Sequence, residues 1–215
     1  MDLFDLNPEF QQYLENHSTP EDEVLSELRR YTFLKVIHPR MISGPVQGRF
    51  LELMSKLLKP EKILEIGTYT GYSAICLARG LKPGGKLYTV EINDELIGKS
   101  RSFFSKANLA DSIESLHGDA MELIPKMNHE FNLIFIDGEK EQYTEYYKIC
   151  MSKLKKGGVI IADNVLWDGK VYDRKFNNDS ATKGIKAFNK FVQEDARVEN
   201  MILPLRDGLM VVRKV

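Results

Sequence analysis

The chain has 215 residues and a formal net charge of -1, with 43% hydrophobic and 28% charged residues. That balance fits a globular enzyme and gives no electrostatic footprint for nucleic acid or an anionic membrane surface. The length suits one α/β domain, and no apolar run approaches the roughly 18 residues that a membrane span requires.

Asp2, Asp5, Glu9 and Glu15 interrupt the first residues, so they do not read as a secretory leader. Cys76 and Cys150 fall in segments with helical patterning and lack metal-ligand spacing, and His17, His38, His117 and His129 are scattered. A cytoplasmic protein with reduced thiols is the expectation.

In chain order, Phe10, Tyr13 and Leu14 can pack as a short helix within residues 1–18. Thr19-Pro20-Glu21-Asp22-Glu23 reads as a helix start, with a capping hydroxyl, a proline in the first turn and acids at the positive end. Val24, Leu25, Leu28 and Tyr31 form its apolar face, and His38-Pro39-Arg40 ends it. After Met41-Ile42-Ser43-Gly44-Pro45, the side chains of Val46, Phe50, Leu53, Met54 and Leu57 recur at helical spacing. Ile63, Leu64 and Ile66 form a short strand that stops at Gly67, and Tyr72 to Arg79 read as helix after Gly71.

Beyond this first βα unit, Lys86 to Val90 is a strand ending in Glu91, and Asp94 to Ala107 is a helix. Ser112 to Leu116 is a short strand, and Gly118-Asp119-Ala120 opens a helix in which Asp119 reads as a cap. Phe131 to Ile136 is an apolar strand ending in Asp137, and Gln142 to Leu154 is helical. Gly157-Gly158 turns into the strand Val159 to Ala162, which ends in Asp163-Asn164. A loop over 165–182 precedes a helix marked by Ile185, Phe188 and Val192. Val198 to Leu205 and Leu209 to Arg213, joined by Arg206-Asp207-Gly208, read as an antiparallel hairpin. Near-continuous apolar strands alternating with helices predict an α/β fold, a Rossmann-like doubly wound and mostly parallel sheet. It is expected as a single domain over 1–215: N-terminal helices and a ligand loop in 1–58, then a core over 62–215.

The chemistry concentrates at strand ends. Strand, glycine turn and helix bring backbone N–H groups and a partial positive charge to one point. The spacing is Gly67-x-x-x-Gly71 and not the G-x-G-x-x-G of dinucleotide binders. Glu65 at the strand end would repel a pyrophosphate and suits an ammonium. Glu91, 24 residues beyond Gly67, is placed to accept from ribose hydroxyls. An adenosine ligand with an amino-acid tail and no phosphates, S-adenosylmethionine, satisfies both acids. Asp137 and Asp163 end two further strands; if these are neighbours about 4.8 Å apart, both carboxylates can share one hard cation with Asn164. An Asp or Asn after a strand equally well caps a helix or makes a turn.

Ile63 to Ser73, Phe135-Ile136-Asp137-Gly138-Glu139-Lys140 and Ala162-Asp163-Asn164-Val165-Leu166-Trp167-Asp168-Gly169 resemble the cation-dependent O-methyltransferases of the caffeoyl-CoA and catechol type. Met41 to Phe50 is similar to that family's loop ahead of its first core helix, and the resemblance runs from about Pro39 to the end of the chain. It implies a divalent cation (Mg²⁺, with Ca²⁺ or Mn²⁺ as alternatives) on Asp137, Asp163 and Asn164, and Lys140 as the acceptor of the substrate proton. It implies a cofactor pocket of Met41, Ser43, Glu65, Gly67, Ser73, Glu91, Asp119, Ala120, Asp137 and Tyr146. The residues alone reach only Glu65, Gly67 and Glu91; Lys140 unaided would be a solvated lysine, and Met41 and Tyr146 packing residues. The acceptor implied is a vicinal aromatic diol (catechol-like, hydroxycinnamoyl or flavonoid), and the assembly implied is a homodimer through the N-terminal helices. Gly138-Glu139 and Val46-Gln47 depart from the plant pattern of Ala-Asp and Asp-Glu, near the acceptor. Trp167, Lys170, Arg174 and Lys175 lie in the loop where specificity differs. A nicotinamide-dependent oxidoreductase, or a binding protein without catalysis, are the alternatives on the same sheet.

Overall fold

The computed structural model describes residues 8–215; what was expected of residues 1–7 lies outside them. The chain forms two compact units, 8–119 and 120–215 among the described residues. The first holds α1 (Pro8–Asn16), α2 (Glu23–Lys35), a 3₁₀ turn (Pro39–Met41), α3 (Gly44–Leu58), β1 (Lys62–Ile66), α4 (Tyr72–Ala78), β2 (Lys86–Glu91), α5 (Asp94–Lys106) and β3 (Ile113–His117). The second holds α6 (Ala120–Lys126), β4 (Phe131–Ile136), a 3₁₀ turn (Lys140–Gln142) and α7 (Tyr143–Lys153). It continues with β5 (Leu154–Ala162), a 3₁₀ turn (Arg174–Phe176), α8 (Ser180–Gln193), β6 (Val198–Leu203) and β7 (Leu209–Lys214).

The strands lie in the order β3-β2-β1 in the first unit and β4-β5-β7-β6 in the second. β1, β2 and β3 are parallel, as are β4 and β5, while β5–β7 and β6–β7 are antiparallel. This is the expected doubly wound topology with a C-terminal hairpin. Ile63, Leu64, Leu133, Ile134, Phe135 and Ile136 are wholly buried, as strands covered on both faces must be. Among the described residues, no helix is long and apolar enough to cross a membrane. Both thiols are free and buried. Near the end of α8, Asp195 accepts from Tyr147 Oη at 3.0 Å and from Arg197 Nη2 at 2.7 Å.

Several local expectations are corrected. α2 begins at Glu23 and not at Thr19; its cap is Asp22, whose carboxylate accepts from Leu25 N at 3.0 Å. A charged acceptor one turn nearer the apolar face displaces the threonine. α1 forms but buries none of its residues, so Phe10 and Tyr13 stay exposed. β5 begins at Leu154 and runs through Gly157-Gly158, with an irregular register against β4 between Phe131 and Leu133. Gly157 at φ 76° carries this bulge, where a turn was expected. In the C-terminal hairpin the turn is centred one residue earlier than Asp-Gly. Gly208 N donates to Leu205 O at 3.0 Å, around Arg206 at φ 50° and Asp207.

The largest correction concerns α3. Its predicted apolar face is not the innermost one: Leu53 is 52% and Leu57 77% exposed and Val46, Phe50 and Met54 are half-buried, while Gln47, Gly48, Leu51, Glu52 and Ser55 are buried. Small and polar residues win the inner face because α4 lies too close for large ones. A Cβ on Gly48 would sit 2.5 Å from the Tyr72 ring, and Ser55 Oγ donates to Leu77 O at 2.6 Å. Glu52 is buried with company, bridged to Arg49 at 3.1 Å, Lys56 at 2.5 Å and Arg79 at 3.5 Å. Paired this way, its charge avoids the cost of lone burial.

Candidate active site

In the first unit the turn between β1 and α4 has Gly67 at φ 93°, Tyr69 at φ 50° and Gly71 at φ 92°. Gly71 is needed twice over, because a Cβ there would also meet the Phe104 ring at 2.5 Å. Gly67 N donates to Val90 O at 3.0 Å, so the turn starts beside the end of β2. Glu91 stands there, 8% exposed, with each carboxylate oxygen accepting from a backbone N–H: Tyr69 N at 2.6 Å and Asn93 N at 2.9 Å. Carboxylate oxygens have lone pairs to spare, so this fixed group can still accept from a diol.

Glu65 is fully buried beneath the same turn. Its Oε2 accepts from Thr89 Oγ1 at 2.5 Å, and Thr89 in turn lies 2.5 Å from Thr68 Oγ1. The turn is held from outside as well: Thr32 of α2 meets Thr70 at 3.1 Å, and Tyr69 Oη donates to Ile37 O at 3.0 Å. Of the other residues expected at a cofactor, Ser73 is buried in the first turn of α4 and Ser43 is buried just ahead of α3. Met41 ends a 3₁₀ turn at 60% exposure. Asp119 is half-buried immediately before α6. Ala120, Asp137 and Tyr146 belong to the second unit, where Ala120 and Tyr146 are buried.

In the second unit, β4 and β5 pair so that Ile136 stands opposite Ala162. The next residue of each chain is an acid, Asp137 on one and Asp163 on the other. The neighbouring-strand condition set by the sequence is therefore met. Asp163 is 4% exposed, and its Oδ1 accepts from Asn164 N at 2.7 Å. Asn164 adopts φ 57°, the left-handed region. Lys140 Nζ donates to Asp137 Oδ1 at 2.9 Å and to Tyr143 Oη at 2.8 Å. Burial alone would lower the Lys140 ammonium, but Asp137, Tyr143 and Asp163 together outweigh it and hold its pKa above the ordinary value.

The donor set of Asp137, Asp163 and Asn164 fits a hard divalent cation: two carboxylates and an amide oxygen, with no soft ligand among them. Among the described residues no group of three or more His, Cys, Asp or Glu side chains could hold a metal ion.

Sequence reasoning missed Tyr143, Asp207 and Gly184. Tyr143 is wholly buried and donates to Asp163 O at 3.0 Å, so it ties the Lys140 turn to the end of β5. Burial pushes its own phenol up. Asp207, in the hairpin turn, accepts from Asn164 Nδ2 at 3.2 Å and from Asp168 N. A Cβ on Gly184 would lie 2.5 Å from Lys140 O, so α8 packs directly on that turn. None of the three carries a signal of its own, since each acts through a partner remote in sequence.

The sequence profile of the O-methyltransferase family matches residues 15–215. A catechol O-methyltransferase of Niastella koreensis is 34% identical, over 78% of this chain and 77% of that one. Caffeoyl-CoA O-methyltransferase 2 of Eucalyptus globulus is 33% identical, over 96% of this chain and 88% of that protein. The crystal structure of the Bacillus cereus O-methyltransferase in complex with SAH superposes with a TM-score of 0.85 at 31% identity, covering 95% of this chain and 96% of that one. The match extends over nearly the whole chain, and the chain belongs to the O-methyltransferase family.

Proposed function

We propose that this protein transfers a methyl group from S-adenosylmethionine to one hydroxyl of a vicinal aromatic diol, with a divalent cation, Mg²⁺ first among them, held by Asp137, Asp163 and Asn164. The observation behind this is the register of β4 and β5, which sets the two acids on adjacent strand ends with Lys140 Nζ 2.9 Å from Asp137. When bound, the cofactor supplies an activated methyl group, and the cation supplies Lewis acidity and a template for two vicinal oxygens. The chain's own work is to bind, orient and move one proton. In the first unit Glu91 holds the ribose, and Met41, Ser43, Glu65, Gly67, Ser73 and Asp119 are its other proposed cofactor residues; in the second unit they are Ala120, Asp137 and Tyr146.

Lys140 takes the proton of the reacting hydroxyl. A phenol loses its proton near pKa 10, so ionising it at pH 7 costs about 4 kcal/mol, a barrier that a positioned base lowers. Lys140 must itself be neutral to accept. The carboxylates that hold its ammonium charged are the two proposed ligands, Asp137 and Asp163. A cation held by those carboxylates would offset their pull on the ammonium, and burial favours the neutral amine. The basic residues Lys170, Arg174 and Lys175 would meet an anionic acceptor such as a CoA thioester.

The test is release of S-adenosylhomocysteine with a panel of catechols, flavonoids, hydroxycinnamoyl esters and CoA thioesters, with Mg²⁺ and after exhaustive EDTA treatment. Turnover that needs Mg²⁺ supports the proposal. Full turnover after EDTA would remove the cation from it, and silence across the panel would remove the diol.

The same proposal takes the chain as a homodimer in solution. Leu53 and Leu57 of α3 are exposed on an apolar stripe, and Phe33, Leu34 and Ile37 are exposed at and just beyond the end of α2. Light scattering on wild type and Leu57→Lys tests this: a dimer that becomes a monomer supports it, and a wild-type monomer refutes it.

A further inference from the structure

We infer that Asp207 is a positioning residue that sets which end of the Asn164 amide faces the cation site, an inference that rests on the metal reading of Asp137, Asp163 and Asn164. A primary amide has two ends of similar size and opposite character: the oxygen accepts and the nitrogen donates. Only the oxygen can ligate a hard cation, so a ligand asparagine needs something to prevent its rotation by half a turn. A carboxylate provides that constraint because, ionised, it only accepts. Asp207 Oδ2 lies 3.2 Å from Asn164 Nδ2, so the amide nitrogen is committed to Asp207 and Oδ1 is turned the other way.

The rest of the arrangement keeps Asp207 in place for this task. Its second oxygen accepts from Asp168 N, and its carbonyl accepts from Leu166 N at 2.9 Å. Val165 N donates to Gly208 O at 3.1 Å. The hairpin turn and the stretch after β5 are therefore laced along their length, across 39 to 43 residues of sequence. Asn164 is also held on its own side, since Trp167 N donates to Asn164 O at 3.1 Å while its backbone keeps φ 57°. Backbone and amide are both fixed, by different partners. Outer partners of this kind typically change metal affinity about ten- to a hundred-fold when removed.

The experiment is a double-mutant cycle on Asn164→Ala and Asp207→Ala, read as Mn²⁺ affinity by calorimetry on the full chain with S-adenosylhomocysteine present. Asp207→Ala alone is expected to weaken Mn²⁺ about ten- to a hundred-fold. In the Asn164→Ala background it is expected to add almost nothing, because there is no amide left to orient. Equal losses in both backgrounds would show that Asp207 acts by holding the loop, and would overturn the inference. Asp207→Asn, which keeps the volume, serves if the alanine variant does not fold; it is expected to weaken Mn²⁺ as well, since an amide can face Asn164 by either end. Metal-free NMR supplies a second reading: slow exchange of the Asn164 side-chain amide protons in wild type, and fast exchange in Asp207→Ala. If wild type takes up Mn²⁺ and Asp207→Ala takes it up equally, this inference fails and the proposed function stands. If wild type takes up none, both fail.

Discussion

The hydroxyls of Thr32, on α2, and Thr70, in the glycine turn, meet at 3.1 Å in a wholly buried pocket of the first unit. Thr32 Oγ1 also lies 2.9 Å from Leu28 O, so the helix turn, the threonine and the glycine turn form one buried chain of polar groups. Thr32→Val keeps the shape and leaves the Thr70 hydroxyl buried without this partner. An unsatisfied buried polar group costs about 1–3 kcal/mol. Urea unfolding should show a loss on that scale, and a variant as stable as wild type would mean that Thr70 finds water instead.

Glu91 is pinned before any ligand arrives, by Tyr69 N and Asn93 N. Glu91→Ala should therefore leave the fold intact and weaken S-adenosylhomocysteine about ten- to a hundred-fold, the worth of a charge-assisted hydrogen bond at roughly 1.5–3 kcal/mol. Titration calorimetry gives the answer. Unchanged affinity in a folded variant would take Glu91 out of the site.

Asp195 gives the pH dependence a clear sign. Hydrogen bonds from the Arg197 guanidinium hold its carboxyl well below the usual carboxylate range, and Tyr147 adds to them against the effect of burial. The unfolded chain then binds a proton at a pH where the native chain does not. The contribution is fully present above about pH 4, the ordinary aspartate value, and is lost as pH falls further. Asp195→Asn should destabilise the protein at neutral pH, with the gap to wild type narrowing in acid. A gap that stays constant from neutral to strongly acid conditions would show that the carboxylate's charge is irrelevant.

Lys140→Ala should lower kcat by about 10²- to 10⁴-fold, with cofactor affinity little changed. The deficit should shrink as pH rises, because hydroxide can do for the substrate what the missing amine did. A pH–rate comparison at saturating cofactor and Mg²⁺ separates this from a packing role, which predicts a small and pH-independent loss that follows stability. The amine's surroundings argue for the larger effect: Asp137 and Tyr143 grip it at 2.9 and 2.8 Å.

What the sequence made legible were features that announce themselves locally. Apolar runs that stop at an acid or a glycine located β1, β2, β4 and β5, and with them Glu65, Glu91, Asp137 and Asp163. What it concealed were pairs whose members gain meaning only in space. Thr32 has no reason to be read with Thr70, nor Asp207 with Asn164, nor Gly184 with Lys140. α3 misled for a different reason. Amphipathic spacing tells that one face is apolar, but not that the apolar face turns inward, and here Gly48 and Ser55 reserve the inner face for close approach to α4.

The loop after β5 has a further consequence. Its first part, 163–168, is anchored to the hairpin turn by Val165, Leu166 and Asp168, and by Asn189 of α8, whose Nδ2 donates to Val165 O at 2.8 Å. From Lys170 to Asp179 the backbone instead bonds over short range, Asp173 N to Lys170 O, Phe176 N to Asp173 O and Asp179 N to Phe176 O. Tyr172 and Phe176 are exposed on it. The stretch is an interchangeable cassette between two fixed posts, Trp167 and the Asp179 cap of α8. A change in its length or composition would leave both posts in place, and with them the backbone that carries Asp163 and Asn164.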